Sequence, residues 1–107
     1  EIIKGTTSVT LWDRTEVDIL TDTFAIEVDF SEKWAESIGQ SLYYAEMTNR
    51  KAGVLLVVNS NLDERFIRRL MTVAMRKDIT VWLMDYTTEK WCKVDRFVEY
   101  SYSYEFK

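Results

Sequence analysis

Two short apolar runs constrain the fold of this chain more than any other feature. Residues 53–59 (GVLLVVN) and 79–85 (ITVWLMD) are almost continuously hydrophobic and are bounded by polar residues. Strands with this pattern are typical of parallel sheets, where both faces are buried. The segment between them, 61–77, has helical spacing, with Leu62, Phe66, Leu70 and Val73 on one side. The sequence therefore predicts a β-α-β unit.

Two segments nearer the start of the chain alternate with period two. Residues 16–20 (EVDIL) and 24–30 (FAIEVDF) predict two strands, with a tight turn at 21–23. A shorter strand is predicted at 9–12. A helix is predicted to run from an N-cap at Ser31 to about residue 49, with Trp34, Ile38, Leu42 and Ala45 on its core side. The expected order is β-β-β-α-β-α-β, with a final strand left open, in a single α/β domain over residues 1–107.

The composition excludes several classes of chemistry. The 107 residues include no histidine and one cysteine, Cys92, and the net charge is −4. Without histidine, Ser-His-Asp and Cys-His catalysis and most zinc sites are excluded, which leaves carboxylates, Lys, Tyr or an oxygen-bound metal ion. Because no apolar run approaches the ~20 residues that span a bilayer, no membrane partner is expected. A cytoplasmic location is the default, since one cysteine is compatible with it.

Carboxylates concentrate on one side of the predicted hairpin. A two-residue loop at Asp22-Thr23 would place Asp18 opposite Glu27 and Glu16 opposite Asp29, all on one face. Opposed like charges destabilise a sheet, so something should offset the repulsion. One interpretation is a solvated face with extended side chains. The other is a site for Mg²⁺ or Mn²⁺, which prefer oxygen ligands.

The following helix carries a polar stripe beside its core side. The stripe consists of Lys33, Ser37, Gln40 and Tyr44. Each residue alone is compatible with a surface or packing role. Lys33 is four residues beyond Asp29, so its amine could reach back to the carboxylates.

These residues together resemble the motif of the PD-(D/E)XK nuclease superfamily. The resemblance rests on Asp18, then Glu27-Val28-Asp29 on the next strand, then Gln40-x-x-x-Tyr44 on a helix, and it covers roughly residues 9–85. The Gln-x-x-x-Tyr element is similar to that of the exonuclease-type branch. Residues 25–45 also resemble small bacterial and phage proteins of this fold.

The resemblance implies a restriction-endonuclease-like mixed sheet, with an antiparallel hairpin followed by α-β-α-β and helices flanking the sheet. It also implies Mg²⁺- or Mn²⁺-dependent hydrolysis of DNA phosphodiester bonds. The metal ligands would be Asp18 and Glu27, with Glu16 and Asp29 as further candidates. The implied catalytic residues are Asp18, Glu27, Asp29, Lys33 and Gln40, and Tyr44 would contact nucleic acid.

One position departs from the family motif. Asp29 stands where the superfamily has a lysine that positions the attacking water, and an aspartate cannot replace that charge. Lys33 could substitute from the helix, or Glu16 and Asp29 could hold an additional metal ion. The third alternative is an inactive member that binds nucleic acid or protein. The usual first helix of the fold is absent or reduced to Glu1.

A cluster of cations on the second helix is a candidate DNA-binding surface. Arg65, Arg68, Arg69 and Arg76 form one stripe, although a solvated helix face explains it equally well. The expected partner is DNA, including single-stranded or branched DNA. Tyrosines at 43 and 44, or at 100, 102 and 104, could stack on unpaired bases. The tyrosines near the end could instead pair with another copy, which leaves a homodimer open.

Overall fold

A six-stranded mixed sheet organises the chain, as seen in a computed structural model that describes residues 4–98 and 101–107. Its strands lie side by side in chain order: β1 (Thr6–Thr10), β2 (Glu16–Leu20), β3 (Phe24–Phe30), β4 (Lys51–Val58), β5 (Thr80–Asp85) and β6 (Trp91–Lys93). The helices are α1 (Trp34–Thr48) and α2 (Glu64–Lys77), and β7 (Asp95–Val98) pairs with β8 (Ser101–Ser103) in a separate two-stranded sheet. The expectations for Glu1 and Tyr100 lie outside the described residues.

The strand directions follow the pattern that the sequence predicts. Strands β1, β2 and β3 are antiparallel neighbours, whereas β3, β4 and β5 are parallel. Strand β6 returns antiparallel to β5. The predicted α/β class is therefore confirmed. Among the described residues, no helix is long and apolar enough to span a bilayer.

Both helices lie on the same face of the sheet. Each connects two parallel neighbours, and the chain moves across the sheet in one direction, so right-handed crossovers put α1 and α2 on one side. The two helices contact each other and pack on one apolar core, which includes Leu56, Ile67 and Leu83. The prediction of helices flanking the sheet is correct only in this one-sided sense.

The beginnings of the helices differ from the sequence prediction. Residues Ser31–Lys33 form a 3₁₀ turn before α1, and Ser31 is buried instead of capping the helix. The second helix begins at Glu64, because residues 59–63 form a turn in which Leu62 and Asp63 donate backbone hydrogen bonds to Asn59. Leu62 is consequently 66% exposed, and the buried side of α2 consists of Ile67, Leu70, Met71 and Ala74.

The first strand and the core side of α1 also differ from the prediction. The strand expected at 9–12 is shifted, since β1 ends at Thr10 and the Asp13 carboxylate accepts hydrogen bonds from Thr15 in the turn that follows. Leu42, expected in the core, is exposed. The buried residues of α1 are instead Ser37, Ser41 and Tyr44.

The face without helices is covered by its own large side chains. Trp82 of β5 lies across Gly53 of β4 and meets Phe24 of β3 edge to face, with ring centroids 5.1 Å apart. The indole is only 3% exposed. A glycine is required at position 53 for this arrangement, because a Cβ there would be 2.8 Å from the Trp82 ring.

The last residues fold back on the helix side of the sheet. Tyr102, Tyr104 and Phe106 pack against the main core, and the Tyr104 hydroxyl donates a hydrogen bond to Glu64. This contact within the chain uses two of the three tyrosines that the sequence suggested for base stacking or for pairing with a second copy.

Candidate functional site

Three carboxylates meet between the β2–β3 hairpin and α1. The hairpin has the predicted two-residue loop, with Ile19 paired to Ile26 and Leu20 to Ala25. Glu27 is aligned with Val54 and Asp29 with Leu56 on the neighbouring strand. Because Val54 and Leu56 belong to the core beneath the helices, Glu27 and Asp29 face the helix layer.

Asp18 completes this acidic cluster, which consists of Asp18, Glu27 and Asp29. The β2–β3 ladder ends at Ile19, and beyond that point the Asp18 Oδ2 accepts a hydrogen bond of 2.8 Å from the Val28 backbone N–H. The carboxylate thus lies over β3. Glu16 was also predicted to converge here, but it pairs with Thr10 of β1 and its side chain is exposed.

The cluster is strongly coupled electrostatically. Glu27 is only 6% exposed, and burial, followed by its hydrogen bond and charge interaction with Asp18, raises its pKa from 4.5 to about 9. The pKa of Asp29 is also raised, mainly by burial and then by the charge of Asp18, while Lys33 opposes the shift. The Asp29 Oδ2 is buried and has no hydrogen-bond partner among the described residues. A proton on Glu27 would offset the repulsion among these carboxylates.

Helix α1 covers the acidic cluster. Ser37 and Ser41 are fully buried, and their hydroxyls donate to the carbonyl oxygens of Trp34 (2.6 Å) and Ile38 (3.0 Å). Both buried hydroxyls are therefore hydrogen-bonded within the helix itself. Tyr44 is 8% exposed and packs with Val17 of β2 and Ala25 of β3. Its pKa is raised by burial and then by the charges of Glu27 and Asp18.

Lys33 and Gln40 are both exposed, in contrast to Tyr44. Lys33 acts on Asp29 through its charge but forms no ion pair with it at 4 Å or less. Glu36, which sequence reasoning missed, raises the pKa of Asp29 from the first turn of α1. Its position three residues after Lys33 was the available signal, because residues so spaced are neighbours on a helix surface.

The donor atoms of the cluster are all carboxylate oxygens. Within residues 4–98 and 101–107, no set of three or more Asp, Glu or Cys side chains is arranged so that one metal ion could bind them all. Mg²⁺ commonly uses only one or two protein carboxylates and completes its shell with water and substrate phosphate. The arrangement is thus compatible with a two-carboxylate site and not with a closed cage.

The predicted arginine stripe is present on α2. Arg65, Arg68, Arg69 and Arg76 are all exposed. The guanidinium groups of Arg65 and Arg69 lie 4.3 Å and 5.8 Å from the centre of the Phe66 ring. Arg65 also donates a 3.3 Å hydrogen bond to the Leu62 carbonyl. The stripe is therefore a cationic surface that is partly ordered by its own aromatic residue.

Comparison of the chain with known protein families, curated proteins and solved structures finds no match. Any functional assignment therefore depends on the site itself.

Proposed function

We propose that this protein is a metal-dependent nuclease that hydrolyses DNA phosphodiester bonds with Mg²⁺ or Mn²⁺ held by Asp18 and Glu27. The observation that carries the proposal is the meeting of three carboxylates under α1, where the Asp29 Oδ2 has no hydrogen-bond partner within the part of the chain that the structure describes. Partly buried carboxylate oxygens that lie close together are a suitable environment for a hard divalent ion. The order of these acids on β2 and β3, followed by Tyr44 on α1, supports the resemblance to the PD-(D/E)XK superfamily.

The residues of the chain have distinct roles in this proposal. When bound, the divalent ion would neutralise the phosphate charge and lower the pKa of an attacking water. Asp18 and Glu27 would hold it, Glu27 as the ionised carboxylate, and the Val28 N–H donates the hydrogen bond that positions Asp18. Tyr44 confines the carboxylates from the helix side.

Lys33 and Asp29 are the two residues that would compensate for the absence of the motif lysine. Lys33 is the cation whose charge acts on Asp29, and its exposed position lets it reach a phosphate at the mouth of the site. Asp29 would then accept a hydrogen bond from water or hold a second ion. Gln40 lies on the exposed side of α1 and could contact the nucleic-acid backbone.

Calorimetric titration with Mn²⁺ and cleavage of single-stranded, duplex and branched DNA test the proposal. Wild-type protein should bind Mn²⁺ with release of a proton from Glu27 and should cut at least one substrate only when the metal is present. Glu27→Gln and Asp18→Asn should abolish both properties. Glu46→Gln, a change of the same chemistry at an exposed position of α1, should alter neither. Intact DNA in every reaction, together with identical Mn²⁺ titrations of all variants, would refute the proposal.

A catalytically inactive nuclease-fold protein is the second candidate. Asp29 in the lysine position favours it, as does the lack of a three-carboxylate metal set among the described residues. Such a protein would bind nucleic acid or protein without cutting. Salt-dependent DNA binding that is unchanged in Glu27→Gln, with no cleavage by wild type, would distinguish it from the nuclease.

A further inference from the structure

A cleft of about 280 Å³ opens at the carboxyl ends of the three parallel strands, apart from the acidic cluster. Its lining includes Phe30, Glu32, Val57, Asn59, Asp63 and Tyr86. We propose that this cleft binds an arginine side chain of a partner polypeptide. The proposal does not depend on nuclease activity, because none of these residues is a proposed metal ligand.

Two exposed aromatic residues line the cleft, one on each side of β4. Phe30, at the end of β3, is 59% exposed, and Tyr86, just after β5, is 63% exposed. Strand β4 lies between them, so the two backbones are separated by roughly 10 Å, or two strand spacings. Phe30 is aligned with Val57 and Val57 with Met84, so Tyr86 lies two residues, or about 7 Å, further along the sheet than Phe30. The two rings are therefore staggered, and a ligand must extend over the end of β4 to contact both.

The walls and the floor are held by backbone hydrogen bonds and buried polar contacts. The Tyr86 N–H donates to the Val58 carbonyl at 2.9 Å. The Asp63 Oδ2 accepts hydrogen bonds from the Ser31 hydroxyl at 2.7 Å and from the Asn59 N–H at 2.8 Å. Ser31 is 2% exposed. Since the ends of β3 and β4 are tied to the start of α2, the cleft is formed before a ligand arrives.

The charge of the cleft selects a cation. Its lining contains two carboxylates, Glu32 and Asp63, and includes no Lys or Arg among the described residues. A phosphate-bearing ligand would be repelled, whereas a cation would be attracted by the carboxylates and by the faces of the two rings. The lining thus favours a basic polypeptide over a nucleic acid.

Arginine suits a lining of aromatic rings and carboxylates better than lysine. Its guanidinium is planar, stacks on aromatic rings and donates paired hydrogen bonds to a carboxylate, whereas an ammonium group is compact and tetrahedral. The protein makes the same contact internally, where the Arg65 guanidinium lies 4.3 Å from the Phe66 ring centre. Buried arginines are also frequent energetic centres of protein interfaces.

Titration followed by backbone amide NMR tests this inference, with a short peptide that carries one central arginine between glycine and serine residues. The matched peptide has citrulline at that position, which keeps the shape and removes the charge. The arginine peptide should shift the amides of Phe30, Asn59 and Tyr86, and the citrulline peptide should bind about tenfold or more weakly. Tyr86→Ala should weaken binding by roughly 2- to 30-fold, while Tyr86→Phe should keep most of it.

Trp12→Ala provides the control, because Trp12 is 85% exposed and does not line the cleft. It should leave binding unchanged, and unperturbed amide shifts elsewhere would show that each variant is folded. Equal binding of the citrulline peptide, or shifts that map to other surfaces, would overturn the proposal. Shifts of the cleft amides by an oligothymidylate and not by the peptide would also overturn it. A further contrary result would be self-association of the wild type that is lost in Tyr86→Ala, with no binding of the peptide. The occupant of the cleft would then be a second copy of this chain.

Discussion

Burial of Glu27 beside Asp18 and Asp29 gives the folded protein a proton that the unfolded chain does not hold at neutral pH. The pKa of Glu27 is about 9 in the folded state, against 4.5 for an ordinary glutamate. Between these values the folded protein binds one more proton than the unfolded chain, so unfolding releases it. The free energy of unfolding must therefore fall as the pH rises through this range.

Glu27→Gln should remove this pH dependence. The free energy of unfolding is compared between about pH 5 and pH 9 in the presence of a chelator. Its decrease over this range should be larger for the wild type than for the variant, by on the order of 3 kcal/mol. The variant, which mimics the protonated acid, should be the more stable protein at the alkaline end. Urea unfolding of both proteins at several pH values measures the difference.

Glu46→Gln serves as the control for this prediction, because Glu46 is exposed on α1 and belongs to no acidic cluster. Its unfolding curves should follow those of the wild type at every pH. Parallel wild-type and Glu27→Gln stabilities across the range would show that Glu27 is ionised in the folded state at neutral pH.

Much of the acidic cluster could be predicted from the sequence, because alternation with period two determines which residues share a face. The pairing of Ile19 with Ile26 followed from the two-residue loop. Alternation does not determine where the ladder ends, and here Asp18 leaves it to bind the Val28 N–H. Glu16 pairs with Thr10 of β1, and its side chain is exposed instead of joining the cluster.

The sheet depends on one close contact between β4 and β5 on its helix-free face. Gly53→Ala would place a Cβ 2.8 Å from the Trp82 ring and 3.1 Å from Ile26 Cγ1. Both neighbours are buried, so the indole must move and lose its edge contact with Phe24. We expect a loss of about 1–3 kcal/mol of stability and a change in tryptophan fluorescence.

Gly39→Ala is the matched change, because Gly39 is exposed on α1 and a Cβ there would have no atom within 4 Å. Alanine favours a helix over glycine, so this variant should gain about 0.5–1 kcal/mol. Thermal unfolding should move in opposite directions for the two variants. If Gly53→Ala were as stable as the wild type, Trp82 could not be packed across β4 as described.

Helix faces were harder to predict than strands. Leu62 and Phe66 have helical spacing in the sequence, but the turn at residues 59–63 delays the start of α2 and leaves Leu62 outside it. On α1, Ser37 and Ser41 are fully buried although they are small and polar. A search for large apolar residues assigns such small buried serines to the surface. Gln40 was named from the polar stripe and the Gln-x-x-x-Tyr resemblance, but it is exposed, whereas its neighbour Ser41 is buried.

Across the whole molecule, the net charge of −4 conceals two surfaces of opposite charge. Acids gather around β2, β3 and the cleft at the strand ends, while four arginines lie on the exposed side of α2. The sequence showed this separation only in part. Phe30, Asp63 and Tyr86 are distant along the chain, and parallel strand ends bring them together.

The last described residues complete the main core. Tyr102, Tyr104 and Phe106 pack on it, and the core also contains Cys92, which is 7% exposed. Burial raises the pKa of the Cys92 thiol, which lowers its reactivity further. Removal of residues 101–107 should therefore cost about 2–4 kcal/mol and make Cys92 react with a thiol reagent roughly tenfold faster under native conditions.

Tyr104→Phe separates loss of the hydrogen bond from loss of packing. It removes only the hydroxyl that donates to Glu64, so the expected cost is about 1 kcal/mol, with Cys92 still protected. Removal of Lys107 alone, which is exposed, should leave the stability unchanged. If the shortened chain kept wild-type stability and a protected Cys92, the terminal aromatic residues would not be part of the core. They would then be available for the base stacking or the pairing with a second copy that the tyrosine pattern suggested.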